Sequence, residues 1–126
     1  MKAPLPGIFA LFFAASTIFI PEVSAQMGTP SFHDVQQIFR AHCIECHSGT
    51  HPPEGLRLDS YHNAMAGAKD GPVIVPGAPD KSEIIRRVKG IAKPRMPRDG
   101  PPWLSEKQIS VIENWIAAGV HETEAK

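Results

Sequence analysis

Both cysteines of this chain and three of its six histidines lie in one short stretch, AHCIECHSGTHPP, at residues 41–53. Cys43, Cys46 and His47, flanked by His42 and His51, offer thiol and imidazole donors, which bind transition metals well. Three chemistries use such a set: a tetrahedral zinc site, a redox-active dithiol, and attachment of an iron porphyrin.

Spacing separates them. Zinc sites built from two Cys and two His place a spacer of about a dozen residues between the pairs, so that the chain can wrap the ion. Here Cys46 and His47 are adjacent, and four donors in so short a run converge poorly. A catalytic C-x-x-C opens a helix in a βαβ setting, where the helix N-terminus acidifies the first thiol. These cysteines instead close a predicted helix. C-x-x-C-H is the attachment sequence of haem c. Two cysteines three apart share one helical turn and suit two neighbouring vinyl groups, and the following histidine is placed to bind the iron as proximal ligand.

The other face of the iron decides the function. Left open, it suits a gas sensor or a peroxidase-like protein; closed by a second side chain, it suits electron transfer. The candidates are Met27, Met65, Met96, His33, His42, His51, His62 and His121. His51 lies four residues beyond His47 and His42 five before it, too near to pass round the ring and return. His33 and His121 read as solvated residues at helix ends. His62 and Met65 stay in play on a short helix. Met96 is the strongest candidate, because Pro94-Arg95-Met96-Pro97 is rigid, irregular and far enough along the chain to enclose a cofactor, and a thioether is a suitable soft ligand.

Four helices are predicted to position these groups. Ser31 and Asp34 resemble a capping box, and Phe32, Val35, Ile38 and Phe39 recur at helical spacing, giving a helix over residues 32–43. Residues 48–60 read as loop, with Leu56 and Leu58 pointing inward. A short helix follows over 61–66, capped by Ser60 and stopped at Gly67. Residues 73–75 form a brief buried run, and a third helix runs from 81 or 82 to 88. The last helix, 106–118, has Ser105 as N-cap, Gln108 at N3, a Leu104/Ile109 staple and Gly119 just past its end.

With 126 residues, the chain has the length of one domain. Its 13 prolines are about twice ordinary usage, which favours short helices and stiff loops. Lys2, the apolar run of residues 8–20 and Val23-Ser24-Ala25 read as a leader over residues 1–25, cleaved before Gln26. The mature domain is then 26–126, with a core over 31–119, working in the periplasm without stable membrane insertion. Formal charge is zero, and losing Lys2 and Glu22 together leaves it so, which argues against a nucleic-acid partner. Arg86, Arg87, Lys89, Lys93, Arg95 and Arg98 nonetheless cluster in one stretch. They are expected either to screen the haem propionates or to dock an acidic redox partner.

Cys43-Ile-Glu-Cys-His47, Gly55-Leu-Arg-Leu-Asp59, Val73-Ile-Val-Pro-Gly77 with Ser82-Glu-Ile-Ile85, Arg95-Met-Pro97, and Leu104-Ser105 leading to Trp115-Ile116 and Gly119 together resemble a small single-haem cytochrome c of the planctomycete type. The resemblance covers residues 32–119. It implies an all-α cytochrome c-like fold in which the first and last helices cross, so that Phe32, Val35 and Phe39 meet Ile112, Trp115 and Ile116. It also implies one covalent haem c on Cys43 and Cys46, His47 proximal and Met96 distal, in a monomeric electron carrier with donor and acceptor proteins. Arg95, Arg98 and Trp103 are candidates for the propionates, and Tyr61, Leu56 and Leu58 for the pocket. His51-Pro52-Pro53 lengthens the loop after the motif and leaves open which carbonyl accepts the His47 proton.

Overall fold

Helix α1, Phe32–His42, forms because Phe32, Val35, Ile38 and Phe39 fall on one face and are all buried. Ser31 starts it: its N–H donates to Asp34 Oδ2 at 2.8 Å and its hydroxyl to the same oxygen at 3.0 Å. The Ser31 backbone N–H, with help from its hydroxyl and against some desolvation, holds the Asp34 carboxyl below the ordinary range. Helix α4, Glu106–Ala117, is bounded on both sides as the sequence predicts. Ser105 N–H donates to Gln108 Oε1 at 2.9 Å, Gln108 N–H returns to Ser105 Oγ at 3.2 Å, and Leu104 and Ile109 are both buried. Gly119, at φ 100°, ends it: Val120 N–H reaches Trp115 O and Gly119 N–H reaches Ile116 O, both at 3.0 Å. This is the Schellman pattern, which favours glycine because a Cβ is strained at that φ.

The computed structural model describes residues 1–4, 7 and 28–123. The leader expected over residues 1–25 lies outside the described residues apart from 1–4 and 7, as does Met27. Among the described residues no helix is long and apolar enough to cross a membrane.

α1 packs on α4. Phe32 sits 5.8 Å from Trp115, 6.3 Å from Phe39 and 5.6 Å from Tyr61, measured between ring centroids. Trp115, Phe39, Val35, Ile112 and Ile116 are fully buried. Removing a side chain the size of Trp115 from such a core costs about 3–5 kcal/mol, a large part of the roughly 5–15 kcal/mol that stabilises a domain. His121 completes the closure: its carbonyl accepts both the Trp115 indole N–H at 2.9 Å and the Phe32 N–H at 3.1 Å.

Two short helices lie between. α2, Tyr61–Ala66, is capped by Ser60, whose hydroxyl accepts Asn63 N–H at 3.1 Å. α3, Glu83–Val88, buries Ile84, Ile85 and Val88 and packs on α4. It starts after Ser82 because Pro79–Lys81 is a separate 3-10 turn and the Ser82 hydroxyl serves the preceding loop, accepting Val75 N–H at 2.9 Å and donating to Ala78 O at 3.0 Å. Two local expectations need correction. The 48–60 loop contains a 3-10 turn at Pro53–Gly55, since proline is tolerated at its first position. Val75 is exposed, whereas Val73 and Ile74 are buried, because the chain turns outward toward Pro76. Among the described residues there are no strands, only an isolated bridge between Ala68 and Gly71. The all-α class expected from the sequence is the class observed.

The Asp34 cap has a pH signature. Because the folded-state pKa is depressed, its contribution is present above the ordinary value of 3.8 and disappears as pH falls through the lower folded value. Asp34→Asn is expected to lose about 0.5–1 kcal/mol at pH 7, the low end for a cap because Asp34 is exposed. Urea unfolding should show the gap to the unmodified protein narrowing as pH drops below 3.8.

Candidate haem site

The motif begins where α1 ends. Cys43 N–H still donates to Phe39 O at 2.8 Å, and the next turn is closed by Cys46 N–H and His47 N–H onto Cys43 O at 3.3 and 2.9 Å. The two cysteines therefore follow each other on one turn, with both thiols free: Cys43 half-buried against the core, Cys46 exposed. Burial, and to a lesser degree Cys46, pushes the Cys43 thiol up to about 12. A catalytic dithiol needs the opposite, an acidified and nucleophilic sulfur. Among the described residues no three His, Cys, Asp or Glu side chains gather where one metal ion could sit, so the four-donor zinc arrangement has no geometric counterpart.

His47 is fixed from two directions. Its Nδ1 lies 3.2 Å from Leu56 O, and its own carbonyl accepts Leu58 N–H at 2.8 Å. A carbonyl can only accept, so Nδ1 carries the hydrogen and Nε2 keeps its lone pair. An imidazole oriented in this way by a backbone carbonyl is ready to bind a metal through Nε2. The carbonyl left open by the sequence is that of Leu56. The lengthened loop delivers it: Gly55 N–H closes onto Pro52 O at 3.0 Å, Leu56 N–H onto Pro53 O at 3.1 Å, and Lys69 N–H holds Glu54 O at 2.8 Å.

Between the two leucines, Arg57 donates from Nη2 to Asp59 Oδ2 at 2.7 Å, while Asp59 Oδ1 accepts Asn63 Nδ2 at 2.7 Å. Asn63 first, then Arg57, hold the Asp59 carboxyl below its usual range. Arg57 Nε is buried and has no partner among the described residues. A buried donor left over in this way calls for an acceptor from outside the chain, and the carboxylates of a haem are such acceptors. Two free thiols on one turn, an imidazole with its Nε2 lone pair available and an orphaned cationic donor nearby make a donor set that fits haem c.

Met96 is half-buried in the irregular segment between α3 and α4. Its N–H donates to Arg87 O at 3.1 Å, and Arg87 Nη1 donates to Pro94 O at 3.3 Å. Arg95 Nε donates to Val88 O at 3.3 Å, and its guanidinium stacks 4.2 Å from the Trp103 ring centroid. Gly90, at φ 75°, makes this crossing feasible, since a Cβ there would stand 2.9 Å from Arg95 Cδ. Arg98 is exposed, and Trp103 is 37% exposed. Tyr61 and Leu56 are half-buried against the core and Leu58 is buried. Met65 also packs against the core, whereas His33, His51, His62 and His121 are exposed. A surface groove of about 420 Å³ on α4, lined by Thr29, Lys107, Val111 and Asn114 among others, contains none of the motif residues.

The sequence reading missed three participants. His42 Nε2 lies 3.0 Å from Gln108 Nε2 and so joins α1 to α4. Gln108 Oε1 is occupied by Ser105 N–H, which fixes the amide's orientation and makes His42 Nε2 the acceptor. No local pattern announces a pair 66 residues apart. Arg57 and Arg87 were legible only as charges, though an arginine between two inward leucines is a signal for a partly buried guanidinium.

Residues 43–100 match the family model described as Planctomycete cytochrome C, a span that runs from Cys43 through the Met96 segment and stops before α4. No curated protein and no solved structure matches the chain. The family carries covalently bound haem and transfers electrons through it, and the four helices without strands among the described residues agree with a small cytochrome c-like fold. Over residues 43–100, a little under half its length, the chain is similar to the planctomycete cytochrome C family.

Proposed function

We propose that the chain is an exported single-haem cytochrome c that carries electrons one at a time, with Cys43 and Cys46 as tethers and His47 and Met96 as axial ligands. The observation that supports this best is the 3.2 Å contact between His47 Nδ1 and Leu56 O, which fixes the tautomer a metal ligand needs. A bound haem c supplies a one-electron ferric/ferrous couple. Cys43 and Cys46 would hold it by thioether links, and His47 would offer Nε2, its ring oriented by the Leu56 carbonyl. Met96 offers an uncharged thioether, which favours the reduced state and a higher potential. Leu56, Leu58 and Tyr61 keep water from the iron, and Arg95, Arg57 and Trp103 serve the propionates.

In this reading Cys46, the exposed member of the pair, marks the edge where electrons enter and leave. The basic cluster divides. Arg86 and Arg87 face Glu83 at 3.6 and 2.7 Å, and Lys89 pairs with Glu113. Lys93 and Arg98, exposed on either side of Met96, are the charges that meet an acidic redox partner. The leader over residues 1–25 exports a monomeric domain, 26–126, to the periplasm. No bond to a substrate is made or broken, so the protein is a carrier and not an enzyme.

Absorption spectra of protein matured in a haem-attaching host test the assignment. A low-spin ferric spectrum with a methionine–iron charge-transfer band, and a reduced form indifferent to carbon monoxide, is expected. A high-spin spectrum that shifts with carbon monoxide would make the protein a sensor or peroxidase-like. Met96→Ala should abolish the charge-transfer band; if the band survives, Met65 becomes the ligand. Replacing Lys93 and Arg98 together by Gln should slow electron exchange with an acidic partner several-fold at low salt. The difference should vanish near 1 M salt, where the Debye length shrinks to about 3 Å.

A further inference from the structure

The residue that addresses Met96 most directly is Arg87. Helix α3 has six residues, too few to be stable alone, and its last carbonyls need partners from elsewhere. The segment carrying Met96 provides them. Arg86 O accepts Ile91 N–H at 2.8 Å and Ala92 N–H at 3.0 Å, Arg87 O accepts Met96 N–H at 3.1 Å, and Val88 O accepts Arg95 Nε at 3.3 Å. Arg87 adds its side chain: Nε donates to Glu83 Oε1 at 2.7 Å and Nη1 to Pro94 O at 3.3 Å. It is thus bonded to the N–H of Met96 and to the carbonyl two residues upstream, while Ile84, Ile85 and Val88 root α3 in the core.

We infer that Arg87 is a positioning residue for the distal methionine, and that the Glu83–Arg87–Pro94 bracket governs how readily Met96 leaves the iron. This rests on the reading of Met96 as axial ligand. Arg87 therefore belongs to the holding of the ligand and not to the docking surface, where its charge alone would have put it. The Arg87 and Glu83 side chains are 31% and 36% exposed, so the ion pair adds little to global stability. Its effect falls on local opening, which a ligand competing with Met96 reads directly.

The test is a titration of the ferric holoprotein with imidazole, which replaces a displaced methionine, run beside urea unfolding followed by circular dichroism. Arg87→Gln should raise imidazole affinity about three- to tenfold, the range expected for losing one or two weak charged hydrogen bonds, with the urea midpoint nearly unchanged. Arg87→Lys, which keeps the charge without the fork that spans Glu83 and Pro94, should fall in between. Arg86→Gln removes the same charge and only the longer, 3.6 Å contact with Glu83, leaves the Arg87 bonds to Glu83 and Pro94 in place, and should leave imidazole affinity as it was. If Arg87→Gln yields no holoprotein, Glu83→Gln takes its place, with an increase of about twofold expected from loosening the same bracket. Unchanged affinity in the Arg87 or Glu83 variant overturns the inference, as does an equal rise in Arg86→Gln, which would reduce the effect to net charge. Failure of the ligand assignment itself shows separately, as survival of the charge-transfer band in Met96→Ala.

Discussion

The packing of α1 against α4 around Phe32 and Trp115 is the constraint on which the rest of the molecule depends. These are the two helices long enough to present a continuous apolar stripe, of 11 and 12 residues, and the fully buried aromatic and aliphatic side chains are concentrated on them. α2 and α3, at six residues each, are below the length at which a helix sustains itself in water. They exist because Ala64, Ile84, Ile85 and Val88 find a surface to bury against. Everything between residues 43 and 104 is therefore hung from a scaffold made by the flanking sequence.

That division explains how the chemistry is placed. The motif cysteines inherit their geometry from the last turn of α1, which is anchored by Phe39. His47 and Met96 do not sit on helices at all. Each is held by backbone carbonyls, Leu56 toward the His47 ring and Arg87 toward the Met96 N–H, so the main chain fixes the two residues proposed as ligands. Backbone acceptors are insensitive to side-chain replacement, whereas the loops that deliver them rest on side chains such as Asp59 and Glu83. Asp59 illustrates the point: it ties Arg57, next to the carbonyl that faces His47, to Asn63 on α2.

Capping chemistry made the helices legible. Ser31, Ser60 and Ser105 each start a helix where the sequence predicts, and Gly67 and Gly119 stop two of them, because caps and apolar periodicity act over three or four residues. The attachment motif was legible for the same reason. What could not be read was contact at long range: His42 with Gln108, the His121 carbonyl with Phe32 and Trp115, and the tethering of Met96 to α3. Arg87 is the instructive case. In the sequence it is one of six neighbouring cations with no feature to distinguish it, and only the fold shows that its guanidinium is engaged by Glu83 and the Pro94 carbonyl while Lys93 and Arg98 are exposed. The left-handed backbone of Val120, φ 57°, was equally invisible, since a buried valine is an unfavourable residue for that conformation and is kept there by the packing around it.

The shared acceptor at His121 has a consequence for chain topology. Because one carbonyl receives the N–H that opens the first helix and the indole that closes the last, the entry and exit of the folded unit are adjacent. A module whose ends meet can be spliced into a surface loop of another protein without being pulled open. The same adjacency allows the original ends to be joined by a short linker and new ones cut in an exposed turn away from residues 43–47. Such rewiring leaves Cys43, Cys46 and His47, on the turn that follows α1, untouched, so this fold can be inserted as a unit wherever an electron relay is wanted.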